Sequence, residues 1–268
     1  MPETVSIGDV ELGVMDRGSG PVILFVHGFP LDHTMWLELT ELLAASFRTI
    51  VPDLRGFGKS SVTPHRVSME QYADDLQRLL TALDCRDPVT FCGLSMGGYI
   101  AWQFQKRFPE LVGSLVLCDT RAAGDSDEIM RARLIMAARV EREGTGFIPA
   151  ALLSKLFSES TCDRRQDLIE NARQVVLRNS PQGIAAAQRG MARRPDVTER
   201  LAEIDVPALL ICGVDDVISP PAEMRAMAAR MPRAGLVEIP DAGHMAPVEN
   251  PQAVAAALRS FLEQVSGD

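Results

Sequence analysis

Apolar residues along this chain fall into two alternating textures. Short β-rich runs at Val10 to Met15, Val22 to Val26, Arg48 to Pro52, Val89 to Cys92, Leu115 to Cys118, Ala208 to Cys212 and Leu236 to Ile239 predict strands. Between them lie stretches with one apolar face. Ser68 to Leu83 carries Tyr72, Leu76, Leu79, Leu80 and Leu83 at helical spacing, Pro251 to Val265 does the same with Val254, Leu258, Phe261 and Leu262, and Tyr99 to Phe108 also reads as a helix. This alternation is the pattern of an α/β fold: a mostly parallel central sheet with helices on both faces.

The alternation stops between Thr120 and about Arg194, where helical patterns continue without a convincing strand. Leu168, Ile169, Ala172, Val175 and Val176 share one helix face, and Ala150 to Phe157 is a second apolar helical piece. The expected organisation is a core built from residues 1–119 and 195–268, interrupted by a helical cap insertion over 120–194. Such a cap would sit above the C-terminal strand ends, where open α/β sheets bind ligands.

A chain of 268 residues can bury a substantial core around one sheet, and its net charge of −9 argues against a nucleic-acid footprint. No apolar run approaches a membrane span and residues 1–4 show no signal-peptide pattern, so no membrane partner and a cytoplasmic location are expected. Five cysteines, Cys85, Cys92, Cys118, Cys162 and Cys212, form no C-x-x-C pair, which points to neither a disulfide framework nor a zinc site. No cofactor or metal is expected. Oligomeric state is not legible.

The stretch from Cys92 to Gly98 carries the chemistry. It reads C-G-L-S-M-G-G between a strand and a helix, the context a nucleophile elbow requires: Gly93 and Gly97 leave room for a sharp turn that exposes the Ser95 hydroxyl. A serine needs a base, and the base an orienting acid. His244, in the loop between the last strand and the last helix, is the preferred base. His27 is read as loop support, and His33 and His65 as loop or helix-start residues. For the acid, Asp215 and Asp216 follow a strand directly, and we take Asp216 first. Asp119 follows another strand on the same rim and is a rival, while Asp241 is read as shaping the turn before His244.

The order Ser95, Asp216, His244, together with His27-Gly28-Phe29-Pro30, Asp53 to Ser60, and Gly213 to Pro220, resembles the α/β-hydrolase-fold serine hydrolases over nearly the whole chain. The family's acid position matches Asp216. The resemblance also implies an oxyanion hole from the backbone N–H groups of Phe29 and Met96. The Asp53 to Ser60 segment itself reads as structural, two glycines permitting a tight loop that Asp53 and Arg55 brace. It extends to esterases, 3-oxoadipate enol-lactonases and cofactor-free haloperoxidases. The implied reaction is acyl-enzyme cleavage of a small or medium carboxylic ester or lactone. Perhydrolysis, carbon–carbon bond hydrolysis, hydroxynitrile cleavage and ligand sensing are the alternatives the same residues leave open. Phe29, Leu94, Met96, Trp102 and Met245 are the expected substrate-binding residues, with Leu152, Leu156 and Phe157 as cap side chains over them.

Overall fold

The computed structural model describes residues 2–267. Its eight strands are β1 (Glu3–Ser6), β2 (Glu11–Arg17), β3 (Val22–Val26), β4 (Arg48–Pro52), β5 (Val89–Leu94), β6 (Val112–Cys118), β7 (Ala208–Gly213) and β8 (Ala234–Ile239). They form a single sheet in the order β1-β2-β4-β3-β5-β6-β7-β8. The β1/β2 and β2/β4 pairings are antiparallel and all others parallel. Every residue of β7, and all but one of β3 and of β5, is buried, which is why β3 and β7 read as apolar runs and β5 is interrupted only by half-buried Thr90. The added strand, β1, lies at the sheet edge with no buried residue. An edge strand of that kind leaves no apolar period to read.

Eleven α-helices, with three short 3-10 turns, connect and cover the strands among the described residues: α1 (Leu37–Leu43), α2 (Met69–Ala82), α3 (Met96–Arg107), α4 (Asp127–Glu143), α5 (Ile148–Leu156), α6 (Glu159–Arg164), α7 (Gln166–Arg178), α8 (Pro181–Met191), α9 (Pro221–Ala228), α10 (Ala246–Glu249) and α11 (Pro251–Gly267). Ser68 starts α2 by accepting the Gln71 N–H on its side chain, and Tyr72, Leu76, Leu79 and Leu80 are buried beneath it. Leu83 falls just past the helix as its C-cap. Cys92, Cys118 and Cys212 are fully buried strand residues and all five thiols are free. No described helix is long and apolar enough to cross a membrane.

Helices α4 to α8 fill the segment between β6 and β7. They are tied to the strand ends by specific contacts. A Cβ on Gly183 would collide with the Gly56 carbonyl, so α8 rests directly on the loop after β4. Asn179 donates from Nδ2 to Pro30 O (2.9 Å) and accepts the Gly58 N–H (2.8 Å), and Arg178 pairs with Asp32 at 2.6 Å. Below this layer the strand progression reverses: β4 and β6 leave on opposite sides of the adjacent β3 and β5. A crevice opens at such a switch point, and the residues after β3 and β5 line it.

Candidate active site

Ser95 occupies the junction of β5 and α3 with φ 52° and ψ −107°, a left-handed backbone conformation that a side-chain-bearing residue adopts only under constraint. Two features hold it there. A Cβ on Gly97 would strike the Val26 carbonyl, and one on Gly93 would press on the Gly97 backbone, so α3 can approach the sheet only because both residues lack side chains. Backbone bonds then continue the sheet into the turn: Ser95 N–H donates to Cys118 O, and the Thr120 hydroxyl donates to Ser95 O at 2.7 Å.

The Ser95 hydroxyl lies 2.8 Å from His244 Nε2, and His244 Nδ1 lies 2.8 Å from Asp216 Oδ2. The imidazole is 2 % exposed. Asp216 Oδ1 accepts the N–H groups of Ile218 (2.7 Å) and Ser219 (3.0 Å), which fixes the carboxylate plane. Burial would raise this carboxyl's pKa, yet the bond to His244 and those two N–H donors outweigh it and hold the pKa below the ordinary value. With an ionised acceptor at Asp216, the imidazole proton resides on Nδ1 and the Nε2 lone pair faces the serine.

Asp119 has the opposite environment. It directly follows β6 at φ 46°, fully buried, and its Oδ1 accepts the Gly213 N–H at 2.8 Å rather than any histidine. Its Oδ2 has no hydrogen-bond partner among the described residues. Burial, reinforced by the neighbouring Asp216 charge, raises its pKa well above the usual carboxylate range. The folded chain therefore keeps this proton at pH values where the unfolded chain has released it, so stability falls as pH rises out of the ordinary carboxylate range of about 4. Asparagine tolerates the left-handed backbone. The Tm difference between Asp119→Asn and wild type is expected to grow in the variant's favour from pH 4 to pH 8, with each kcal/mol gained worth about 2–4 °C in a domain of this size. A scan of melting temperature against pH checks this, and a flat difference would mean that Asp119 ionises in the fold.

His27, His33 and the Asp53 loop form a hydrogen-bonded brace, while His65 is exposed in the loop before α2. His27 Nε2 accepts the Leu54 N–H (3.0 Å) and Nδ1 bonds Gly28 O (3.0 Å), while burial lowers its pKa, so a neutral ring joins β3's end to β4's. Asp53 takes the His33 backbone N–H, His33 Nδ1 and the Lys59 N–H. Arg55 pairs with buried Asp75 at 2.7 Å and with Asp9 at 2.9 Å. Asp32, His33 and Asp53 bring metal-ligand atoms close together. Their bonds to one another's backbone, to Thr34 and to Arg178 account for the cluster as a brace.

Around the serine, Met96 is the first residue of α3, where N–H groups lack intrahelical acceptors, and Phe29 follows Gly28 in the loop after β3. Phe29 lines a cavity of about 60 Å³ with Met136, Ile148, Ala151, Leu152 and Gln188. Met245 and Phe157 line a second of about 230 Å³ with Leu31, Met35, Leu37 and Val175 among others. Leu94 packs over Gly28, and the Trp102 indole donates to Arg121 O at 2.9 Å. Leu156 is buried, and its carbonyl abuts Gly243 in the His244 loop. Several residues that shape the site escaped sequence reasoning. Thr120 braces the elbow, and Glu249 accepts both Gly243 N–H and Ser158 N–H at 2.8 Å, joining the His244 loop to the α5–α6 turn. The Thr120–Ser95 and Glu249–Ser158 bonds join residues far apart in the chain, so no local motif marks them.

A sequence model of the alpha/beta hydrolase family matches residues 23–257. Among solved structures, a thermophilic esterase from Thermogutta terrifontis is similar at 45 % identity and TM-score 0.96, over 99 % of either chain. The enol-lactonase from Burkholderia xenovorans LB400 is similar at 27 % identity and TM-score 0.90, over 97 % of this chain and 100 % of that one. Among curated proteins, 3-oxoadipate enol-lactonase 1 of Acinetobacter baylyi is 26 % identical over 247 residues, 92 % of this chain and 90 % of that protein.

Proposed function

The chain belongs to the alpha/beta hydrolase family, and from that premise we propose that it is an ester-bond hydrolase cleaving a short-acyl carboxylic ester or lactone through an acyl-enzyme on Ser95. The observation that carries the proposal is the unbroken series Ser95 Oγ, His244 Nε2, His244 Nδ1 and Asp216 Oδ2, with 2.8 Å at each hydrogen bond. The esterase and enol-lactonase similarities support the same bond class.

In the proposed cycle His244 Nε2 removes the Ser95 proton as Oγ attacks the carbonyl carbon. The imidazolium that forms is stabilised by ionised Asp216, and the carbonyl oxygen gathers its negative charge against the N–H groups of Met96 and Phe29. Collapse breaks the bond to the alkoxide, which takes the proton from His244. Water then enters, gives its proton to the same nitrogen and attacks the acyl carbon, and the returning proton releases Ser95. Backbone amides fixed by the elbow and by the β3 loop need no reorganisation when charge develops.

The two cavities divide the substrate. The one of about 60 Å³ adjoins Phe29 and receives the acyl group, whereas the one of about 230 Å³ adjoins Met245, next to the base that protonates the leaving oxygen, and receives the alcohol. A water needs about 10–15 Å³ of such space, so the smaller cavity admits roughly four heavy atoms beyond the carbonyl. Among p-nitrophenyl esters, kcat/KM is expected to peak between acetate and butyrate and to fall at least about tenfold at octanoate, the cost of leaving several methylenes unburied. An octanoate optimum would place the acyl chain elsewhere. Absence of turnover that depends on Ser95, across esters and lactones, would overturn the proposal.

A further inference from the structure

Gln188 is the one polar side chain lining the small cavity beside Phe29. It projects from α8, is 7 % exposed, and its Oε1 accepts from Arg133 Nη1 at 3.2 Å. Arg133 is itself held. Its Nε bonds Asp125 Oδ2 at 2.6 Å, and Asp125 Oδ1 pairs with Arg194 Nη1 at 2.5 Å. The guanidinium of Arg194 stacks over Tyr99, 4.1 Å from the ring centroid, on the helix that Ser95 begins. Because arginine can only donate, this chain of contacts dictates which end of the amide faces which way. Oε1 turns to the cation, and the Nε2 hydrogens are left for the cavity, with no acceptor for them among the described residues.

A donor fixed by a partly buried ion-pair chain and presented in an apolar cavity selects a ligand with an acceptor at that place. We propose that Gln188 is a specificity-determining residue whose Nε2 donates to a second oxygen on the acyl group, so that the site favours short oxo-acyl esters or lactones over their hydrocarbon counterparts. This rests on the ester-hydrolase reading above. The cavity's volume of about 60 Å³ sets the reach: the acceptor belongs within a few heavy atoms of the scissile carbonyl. Met136, Ile148, Ala151 and Leu152 enclose the carbon skeleton, and Gln188 supplies the polar contact.

Ethyl 3-oxobutanoate and ethyl 3-methylbutanoate carry acyl groups of the same heavy-atom count and branching, differing in whether a carbonyl oxygen or a methyl stands on the third carbon. The test compares kcat/KM for the two esters in wild type, Gln188→Leu and Gln188→Glu. Leucine removes the donor, and glutamate keeps the bond to Arg133 while replacing the donor by an acceptor. Intrinsic reactivity cancels when the oxo-to-methyl ratio is compared between proteins. That ratio is expected to fall about tenfold in both variants, chiefly through KM. In parallel, calorimetry measures the Kd of both esters for the non-cleaving Ser95→Ala protein, with and without each Gln188 change. Preference for the oxo ester that disappears with Gln188 supports the proposal even if wild type cleaves neither ester, an outcome that counts against short alkyl esters as substrates and overturns the hydrolase reading only if Ser95-dependent turnover is also absent across other esters and lactones. Equal ratios and equal Kd preferences in all proteins would overturn the role of Gln188 and leave that reading standing.

Discussion

Ser95→Ala is expected to lower kcat/KM for the best ester substrate by about 10⁶-fold, the scale seen when a triad serine is removed from a hydrolase. The hydroxyl is the only atom lost. It sits 2.8 Å from His244 Nε2, while the turn that presents it is held by Gly93, Gly97, Thr120 and the bond from Ser95 N–H to Cys118 O. These backbone contacts survive the substitution. The melting temperature should therefore stay within a few degrees of wild type, separating loss of nucleophile from loss of fold. Rates over a p-nitrophenyl ester series, together with labelling by a fluorophosphonate read by intact mass, check the expectation. Wild type should gain one phosphonyl group and the variant none. A variant rate within tenfold of wild type would remove Ser95 from the chemistry.

The parts of this site that were legible in the sequence share one property: each is written within a few residues of a strand end. The elbow shows its serine, its two required glycines, the strand before and the helix after within one short segment from Val89 to Arg107. His244 and Asp216 likewise sit in loops directly beyond β8 and β7, and parallel strands deliver such loops to one rim of the sheet. What the strand pattern does not encode is which rim carboxylate faces the histidine. Asp119 and Asp216 follow neighbouring strands. The structure separates them by backbone direction, Asp119 turning at φ 46° to bond the Gly213 N–H, and Asp216 bonding His244.

The pocket was less legible, for a geometric reason. Nearness to Ser95 along α3 brought Trp102 under consideration, but the helix carries that side chain to the Arg121 carbonyl. Apart from Phe29, the lining of the small cavity comes from α4, α5 and α8, whose members Met136, Leu152 and Gln188 lie far along the chain and are indistinguishable by period from ordinary core positions. Amphipathic spacing marks the buried face of a helix. It does not say whether that face meets another helix or a substrate.

Asp216→Asn is expected to lower kcat/KM by about 10⁴-fold, the precedent being the corresponding change in a protease triad. The argument follows from the bonds around the carboxylate. Two backbone N–H groups, from Ile218 and Ser219, converge on Oδ1. An asparagine at this position must turn its carbonyl oxygen toward those donors, which leaves the amide nitrogen pointing at His244 Nδ1. That nitrogen can only donate, so Nδ1 must accept and the imidazole proton moves to Nε2. The ring then offers Ser95 a donor instead of a base. Asp119→Asn changes no atom bonded to the histidine, and its effect on kcat/KM should stay within about tenfold, as suits a residue outside the relay. Measuring both variants with the same short-acyl ester over pH 5 to 9 decides between the two carboxylates. A large loss in Asp119→Asn with a small one in Asp216→Asn would reassign the acid to the end of β6. The proposed order predicts the reverse, and predicts that a stronger base in solution, hydroxide at the upper end of the pH range, partly restores the rate of Asp216→Asn.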